Sequence, residues 1–489
     1  MPSYSSAFVT FRPQFSFRPA VFSLLLAAGF LAGCGGSSST AGAAFSGNTT
    51  VVLLASSTAN DQLDAYTATI ETLTLTSQSG KQVTLLASPV VDEFIHLNGH
   101  AEPLATVTVP QGVYVSATAT GANSLQCGGQ VPGEDFHDQM DGTSSVTVNL
   151  PQPITVTGTA MGLILNLQAT PSTPFTGGCP SSLNFVNPVG SVFNLTPMAL
   201  ANPPTTSADG QLPGLQGLVG TVDAGGSGFT VDALVLPGTS TSTWHAALNG
   251  STVFQGVAGV SQLVPGLPVD MDLVIQPDGS LLATRVQVIS TDTSNLTLAT
   301  GFPYLVVASA PTVNIVATAQ QGYLNLGGGG PRPMNFSSAQ FQVSGQFANL
   351  ASLPFTATFT SANIVAGQNL TLTTQATSIA GGPPPVSTLT LMPQSIDGTV
   401  SAISTAGNFT TYTVTLAPYD DFPQFAVQPG QTTLLTSPNT VVVYADSNTQ
   451  MLNSSSIGVG GVFRFYGLIF NDNGTLRMDC AQINDGLAE

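Results

Sequence analysis

The sequence predicts an all-β protein in which an N-terminal β-sandwich is followed by three small barrel-like repeats. Three observations lead there. Short segments alternate apolar and polar residues, as in Val146-Thr147-Val148-Asn149-Leu150, which is the period of a strand with one buried face. The 51 glycines and 34 prolines interrupt these segments at turn-like intervals. Several short stretches of the C-terminal half recur in the same order.

The chain opens on an export signal. Arg12 and Arg18 supply positive charge, and Ala20 to Leu31 is an uncharged, mainly apolar run of twelve residues. Crossing a bilayer as a helix takes roughly 20 apolar residues, so this run suits the core of a signal peptide over residues 1–33. Leu31-Ala32-Gly33-Cys34 resembles the lipobox of bacterial lipoproteins. The resemblance implies cleavage before Cys34, a thioether-linked diacylglycerol on its sulfur and acylation of the new amine, palmitate included. At ~0.8 kcal/mol per buried methylene, several acyl chains make a durable membrane anchor. Residues 34–48 then read as the lipidated cysteine and a flexible tether, rich in Gly and Ser. Gly35 is not the Asp that favours inner-membrane retention, so the expected location is the cell envelope, on the outer membrane.

Charge narrows the partners. Beyond the signal, five basic residues face 25 acidic ones, a formal −20, and Lys81 is the sole lysine. Nucleic-acid binding needs clustered Lys and Arg, so it is excluded. An anionic lipid surface would repel the chain, which leaves the lipid on Cys34 as the means of membrane attachment. Cys127 and Cys179, each beside a glycine pair, are the expected disulfide of an oxidising compartment. Cys480 lies in a strand pattern and reads as a buried thiol.

The sandwich is expected over residues 49–200. Val113, Val115 and Ala117, and then Leu163, Leu165 and Leu167, keep the strand period, while Asp61 to Thr76 could begin helically. Asp64 to Ile70, Val107 to Tyr114 and Ile154 to Leu167 resemble an uncharacterised family of envelope-lipoprotein domains, which implies a transthyretin-like sandwich. Repeats are expected at 213–290, 298–394 (diverged) and 395–486. Leu218-Val219-Gly220-Thr221-Val222 recurs as Ile396-Asp397-Gly398-Thr399-Val400, and Pro265-Gly266-Leu267 as Gly460-Gly461-Val462. Pro277-Asp278-Gly279 matches Asp472-Asn473-Gly474, and such Asp-Gly and Asn-Gly pairs fit two-residue hairpin turns. Ile364-Val365-Ala366-Gly367 repeats Leu263-Val264-Pro265-Gly266 in the middle copy. The pattern resembles an uncharacterised family of tandem envelope repeats related to OB-folds.

Two loops offer binding chemistry. Glu134, Asp135, Asp138 and Asp141, with His137 among them, could give calcium its oxygen ligands, although the spacing is not an EF-hand and a solvated turn explains it as well. Tyr419, Asp420, Asp421 and Phe422 join two rings to two carboxylates. If exposed, they would suit a neutral glycan, through ring stacking and accepted hydroxyl protons. Trp244-His245 reads as cross-strand packing. Beyond His137 and His245 the histidines are His96 and His100, and no nucleophile elbow, His-Glu-x-x-His or phosphate loop accompanies them. The reading is therefore a lipid-anchored, non-catalytic binding or structural module for an envelope protein or neutral glycan. The alternative is an envelope hydrolase with an unrecognised site in the sandwich.

Overall fold

The fold is all-β. The computed structural model describes residues 45–57, 65–94, 97, 101–127, 137–140, 144–169, 191–198, 200, 210–235, 242–307, 311–326, 331–347, 350–417, 420, 422–423, 435–452 and 457–484. Cys34, Cys179, Glu134, Asp135, Asp141, Tyr419 and Asp421 lie outside them, as do the side chains of Cys127 and Asp138.

Ten strands build the N-terminal sandwich: β1 (Asn48–Ser57), β2 (Ala65–Ser77), β3 (Gln82–Leu86), β4 (Val90–Glu93), β5 (Ala101–Pro110), β6 (Gly112–Cys127), β7 (His137–Met140), β8 (Ser144–Val156), β9 (Ala160–Ala169) and β10 (Ser191–Met198). One sheet runs β10-β9-β1-β5, and the other runs β3-β2-β6-β7 with β4 on β2 and β8 on β6. Leu53, Leu73, Leu75, Phe94, Ala117 and Leu163 belong to the single core between them. The Asp61–Thr76 stretch differs from expectation: from Ala65 onward it is strand β2, paired with β6 over most of its length. Its threonines are stiff at χ1 and favour a pleated backbone. Part of the acidic cluster is also strand rather than loop, since β7 pairs Asp138 with Gln126 and His137 with Cys127.

β1 is apolar on both faces for a structural reason. Val51, Leu53 and Ala55 face the sandwich core, whereas Val52 and Leu54 belong to the core of the first repeat, together with Met198 of β10. A strand covered on both sides loses the usual alternation. The junction is closed by Thr159, whose hydroxyl donates to the Pro277 carbonyl at 3.0 Å.

Each repeat is a six-stranded sheet. The first has β11 (Gln211–Val222), β12 (Gly228–Ala233), β13 (Thr243–Ala247), β14 (Val253–Gln255), β15 (Pro268–Ile275) and β16 (Leu281–Val288). The second has β17 (Thr297–Leu305), β18 (Thr312–Gly322), β19 (Arg332–Asn335), β20 (Gln340–Val343), β21 (Leu370–Thr374) and β22 (Thr388–Leu391). The third has β23 (Gln394–Ala406), β24 (Phe409–Leu416), β25 (Thr440–Ala445), β26 (Gln450–Leu452), β27 (Val462–Asp472) and β28 (Thr475–Asn484). All three share one order, β13-β12-β11-β15-β16-β14 in the first. Parallel pairs β13–β16 and β25–β28 close the first and third into OB-like barrels. In the second, the corresponding edge carries a lone bridge between Asn335 and Pro385.

Equivalent backbone hydrogen bonds align the first strands of the repeats in a register three residues away from the one their sequences suggest. Val219 and Val400 are the equivalent residues: each exchanges backbone hydrogen bonds with a Gly-containing turn, through Gly266 and Gly460. Pro303 occupies the same place, accepting from Gly367. Leu215-Gln216-Gly217-Leu218-Val219 therefore matches Ile396-Asp397-Gly398-Thr399-Val400, not Leu218 to Val222. Gly217, Gly301 and Gly398 fall together, and a Cβ on any of them would come within 2.5 Å of a carbonyl oxygen on the neighbouring strand. That close approach is the reason for glycine. The hairpin tips also differ from each other. Asn473 (φ 52°) and Gly474 (φ 90°) form the expected two-residue turn between the paired Asp472 and Thr475. Asp278-Gly279 belongs instead to a three-residue loop, since Gln276 bonds Ser280 across it and Gly279 alone has positive φ.

Candidate functional site

In each repeat the residue before that glycine is polar, buried and paired in register with another buried polar residue. The pairs are Gln216 with Asp270, Thr300 with Thr371, and Asp397 with Arg464. A polar side chain inside a sheet must find its partners there: Gln216 bonds Asp270 and Asp397 bonds Arg464, whereas Thr300 bonds Leu370 and Asn369. Arg464 grips Asp397 bidentately at 2.8 and 2.9 Å. Gln216 donates to Asp270 at 3.4 Å and accepts from the Thr371 hydroxyl at 2.7 Å, which ties the first repeat to the second.

Arg285 on β16 completes the network. Its Nε and Nη2 reach the two oxygens of Asp272 at 2.7 and 3.0 Å, and Nη2 also bonds the Asp270 carboxylate. Burial alone would lower the guanidinium pKa, but Asp270 and Asp272 outweigh that effect and hold it firmly charged. For Asp270 burial dominates and pushes the carboxyl upward, against the pull of Arg285. A bulge in β11 at Gly214 (φ 71°) turns its N–H onto Asp272 Oδ1 at 3.0 Å.

This network backs onto a cleft of about 760 Å³ between the sandwich and the three repeats. Asn166 on β9 lines it from the sandwich, Asp272 from the first repeat, Gln346 from the segment after β20, and Gln482, Arg464 and Tyr466 from the third repeat. Two lining amide oxygens, Asn166 Oδ1 and Gln346 Oε1, are buried without a hydrogen-bond partner. Tyr466 is deeply buried; desolvation, reinforced by Asp270 and Asp272, pushes its phenol far above its ordinary range. The ionisable lining groups are thus either paired, as Asp272 and Arg464 are, or locked in their neutral form. The volume falls in the range of small-molecule sites.

The sequence-derived candidates fare differently. Phe422 is fully buried in the core of the third barrel, so its ring cannot stack on a sugar. Asp420 is buried too, and its carboxylate accepts from the backbone N–H groups of Asp397 and Ala417 at 3.3 and 3.2 Å. An aromatic ring beside an apolar barrel gains more from burial than from solvent, and Asp420 satisfies the backbone that the turn frees. The described half of the expected Tyr419–Phe422 binding loop is therefore a plug. Trp244 packs opposite Val231 in the first barrel, and His245 lies 3.0 Å from Asp223 on its surface. Cys480 is a buried free thiol, with its pKa pushed upward by burial. Among the described residues no group of three or more His, Cys, Asp or Glu side chains converges as metal ligands would.

The cleft residues are scattered from Asn166 to Gln482, so no local motif announces them. One signal was available. With only seven Lys and Arg in the chain, an arginine inside an apolar strand pattern, as at Arg285 or Arg464, demands a buried acid. No protein-family model matches the chain, and no curated protein matches it in sequence.

Proposed function

We propose that this protein is a lipid-anchored, non-catalytic binding module of the bacterial envelope. Its anchor is the acylated Cys34, and its ligand site is the cleft between the sandwich and the repeats. The anchoring half rests on the lipobox and the short apolar run before it. The observation that carries the binding half is the cleft itself: the sandwich and all three repeats converge on it, and its ionisable groups are paired or held neutral. A scaffold with an open, charge-compensated recess is suited to holding a ligand in place.

The test uses the full chain in cells of a bacterium that processes lipoproteins. Wild type should incorporate labelled palmitate, and Cys34→Ser should not; continued labelling of the variant would overturn the anchor. A photo-crosslinking residue placed at Leu452, on the cleft wall, should capture an envelope component that the same residue at the exposed Tyr323 does not. Equal capture at both positions, or none at Leu452, would overturn the cleft as the binding site.

A further inference from the structure

We infer that the end of the sandwich nearest the tether rests directly on the phospholipid bilayer, with Phe45 and Lys81 as its contacts. This inference rests on the lipid anchor at Cys34 and adds how the anchored body is oriented. Four segments build that end: residues 45–48 leading into β1, the β2–β3 turn at 77–81, the β5–β6 turn at 110–112 and the β8–β9 turn at 157–159. Hydrogen bonds knit them together. Gln111 N donates to the Gly47 carbonyl and Gln78 N to the Val113 carbonyl, both at 3.0 Å, and Gln111 Nε2 donates to the Gly158 carbonyl at 3.1 Å.

The first argument is charge. None of the four segments contains an acidic residue, and Lys81, the sole lysine, stands exposed in one of them. The described acidic residues of the sandwich lie elsewhere. Glu71 is at the middle of β2, where its neighbours Ile70 and Thr72 pair with Gly121 and Thr120. Asp92 and Glu93 pair with Ala68 and Thr67, Glu102 with Ala55, and Asp138 with Gln126, all toward the opposite end. The sandwich is thus a charge dipole along its strands. A bilayer with anionic lipid repels the chain least when the acidic end points away, and it attracts a lysine held within a Debye length of its surface. One carboxylate of the first repeat comes near, Asp278, whose loop lies against Thr50 and Thr159. Thr50 is already inside β1, so Asp278 approaches the flank of this end and not its tip.

The second argument is reach. Phe45 follows Cys34 by eleven residues, and a flexible chain of that length spans about 18 Å. Strands of 13 residues, such as β2 and β8, are about 43 Å long. The tether therefore holds this end near the lipid and leaves the acidic end far from it. Phe45 is 48% exposed where the tether joins the sandwich. A lone exposed ring is ordinary on a protein surface, but beside a lipid anchor it lies within reach of the boundary between headgroups and acyl chains, where aromatic side chains bury their apolar face.

The experiment uses the full chain, acylated in a lipoprotein-processing bacterium and reconstituted on phosphatidylcholine vesicles with or without phosphatidylglycerol. A fluorescent amino acid at Ser79, in the β2–β3 turn, or at Asp138, on β7, is read for quenching by lipid spin-labelled at the headgroup. Flotation with the vesicles reports the anchor independently. Ser79 should be quenched and Asp138 should not. Phe45→Ser should reduce quenching at Ser79 on both vesicle types. Lys81→Glu should lower the ratio of docked to undocked chain at least about fivefold on phosphatidylglycerol vesicles, and far less without that lipid. Both side chains are exposed, so neither variant should change Tm. Flotation with equal quenching at the two positions, or with quenching at Ser79 unmoved by both variants, would overturn the contact and leave the anchor standing. Loss of flotation would overturn the anchor and the inference with it. In cells, a photo-crosslinking residue at Ser79 should form lipid adducts, and a discrete protein adduct in their place would overturn the bilayer as the occupant.

Discussion

The first and third repeats differ from the second at one buried position, and the difference separates what the barrel requires from what it merely accommodates. In the outer repeats the register pair is ionic or feeds an ionic network: Gln216 and Asp270 with Arg285, and Asp397 with Arg464. In the second it is two hydroxyls, Thr300 and Thr371. The backbone path is the same in all three, with glycine following in each case. The barrel therefore does not need charge there. It needs polar side chains beside the glycine whose bonds are met within the protein, and the ionic solutions coincide with the repeats that close fully.

This comparison is most sharply broken at Arg285. Replacing it with Met leaves Asp270 and Asp272 without their cation, and stranding a buried charge costs about 3–5 kcal/mol. Two stranded carboxylates should place Arg285→Met at or beyond the upper end of that range by urea unfolding. Arg464→Met strands only Asp397 and should lose about 3–5 kcal/mol. The double variant Asp397→Leu/Arg464→Met restores a neutral pair, as in the second repeat, and should recover most of that loss. A double variant no more stable than the single one would mean that the charge itself is required.

The closing seams give a second contrast, one that pH can read. The first barrel closes through Ala247 and Leu282, whereas the third closes through a strand pair that carries Asp479 opposite Tyr444. Burial, with Asp446 adding to it, pushes the Asp479 carboxyl up to about 6. Its unfolded value is about 3.9, so between these values the folded chain binds the extra proton. The seam is accordingly favoured below about pH 4 and loses up to about 3 kcal/mol as pH rises through 6. Asp479→Asn should abolish that loss. The stability difference between variant and wild type should grow from pH 4 to pH 7, and a difference independent of pH would contradict it.

Much of the architecture was legible because it is written in periodicity: alternating segments, turn dipeptides and recurrent stretches are local. The register of the repeats was not, because Val-Gly-Thr-Val at 219–222 mimics the Asp-Gly-Thr-Val of 397–400 more closely than the true counterpart Gln-Gly-Leu-Val at 216–219 does. Structure aligned them through backbone bonds to Gly266 and Gly460, which leave no mark on residue identity. Asp420 and Phe422 misled for a related reason: composition tells that a carboxylate and a ring are present, not whether they point inward. The cleft could not be read at all, since its walls come from side chains more than 300 residues apart, from Asn166 to Gln482.

The smallest expected effect tests the link between repeats. Thr371 and Thr300 are register partners of the same type, both buried, yet their bonds differ in reach. The Thr371 hydroxyl donates to Gln216 Oε1 of the first repeat at 2.7 Å, and so serves two repeats. The Thr300 hydroxyl has only longer acceptors, Leu370 O at 3.3 Å and Asn369 Oδ1 at 3.4 Å, within its own repeat. Valine replaces either threonine at nearly constant volume, so packing is preserved and only the hydroxyl is removed. Thr371→Val leaves a buried amide oxygen without that donor, which costs about 1–3 kcal/mol. Thr300→Val removes weaker bonds whose backbone acceptor keeps its strand partner, and should cost under about 1 kcal/mol. The ratio carries the test: if the polar pairs are local to each barrel, the two variants will shift the urea midpoint equally. If the pair in the second repeat is a tie to the first, Thr371→Val will shift it by the larger amount, and Gln216→Leu added to Thr371→Val will recover part of the loss by removing the stranded oxygen.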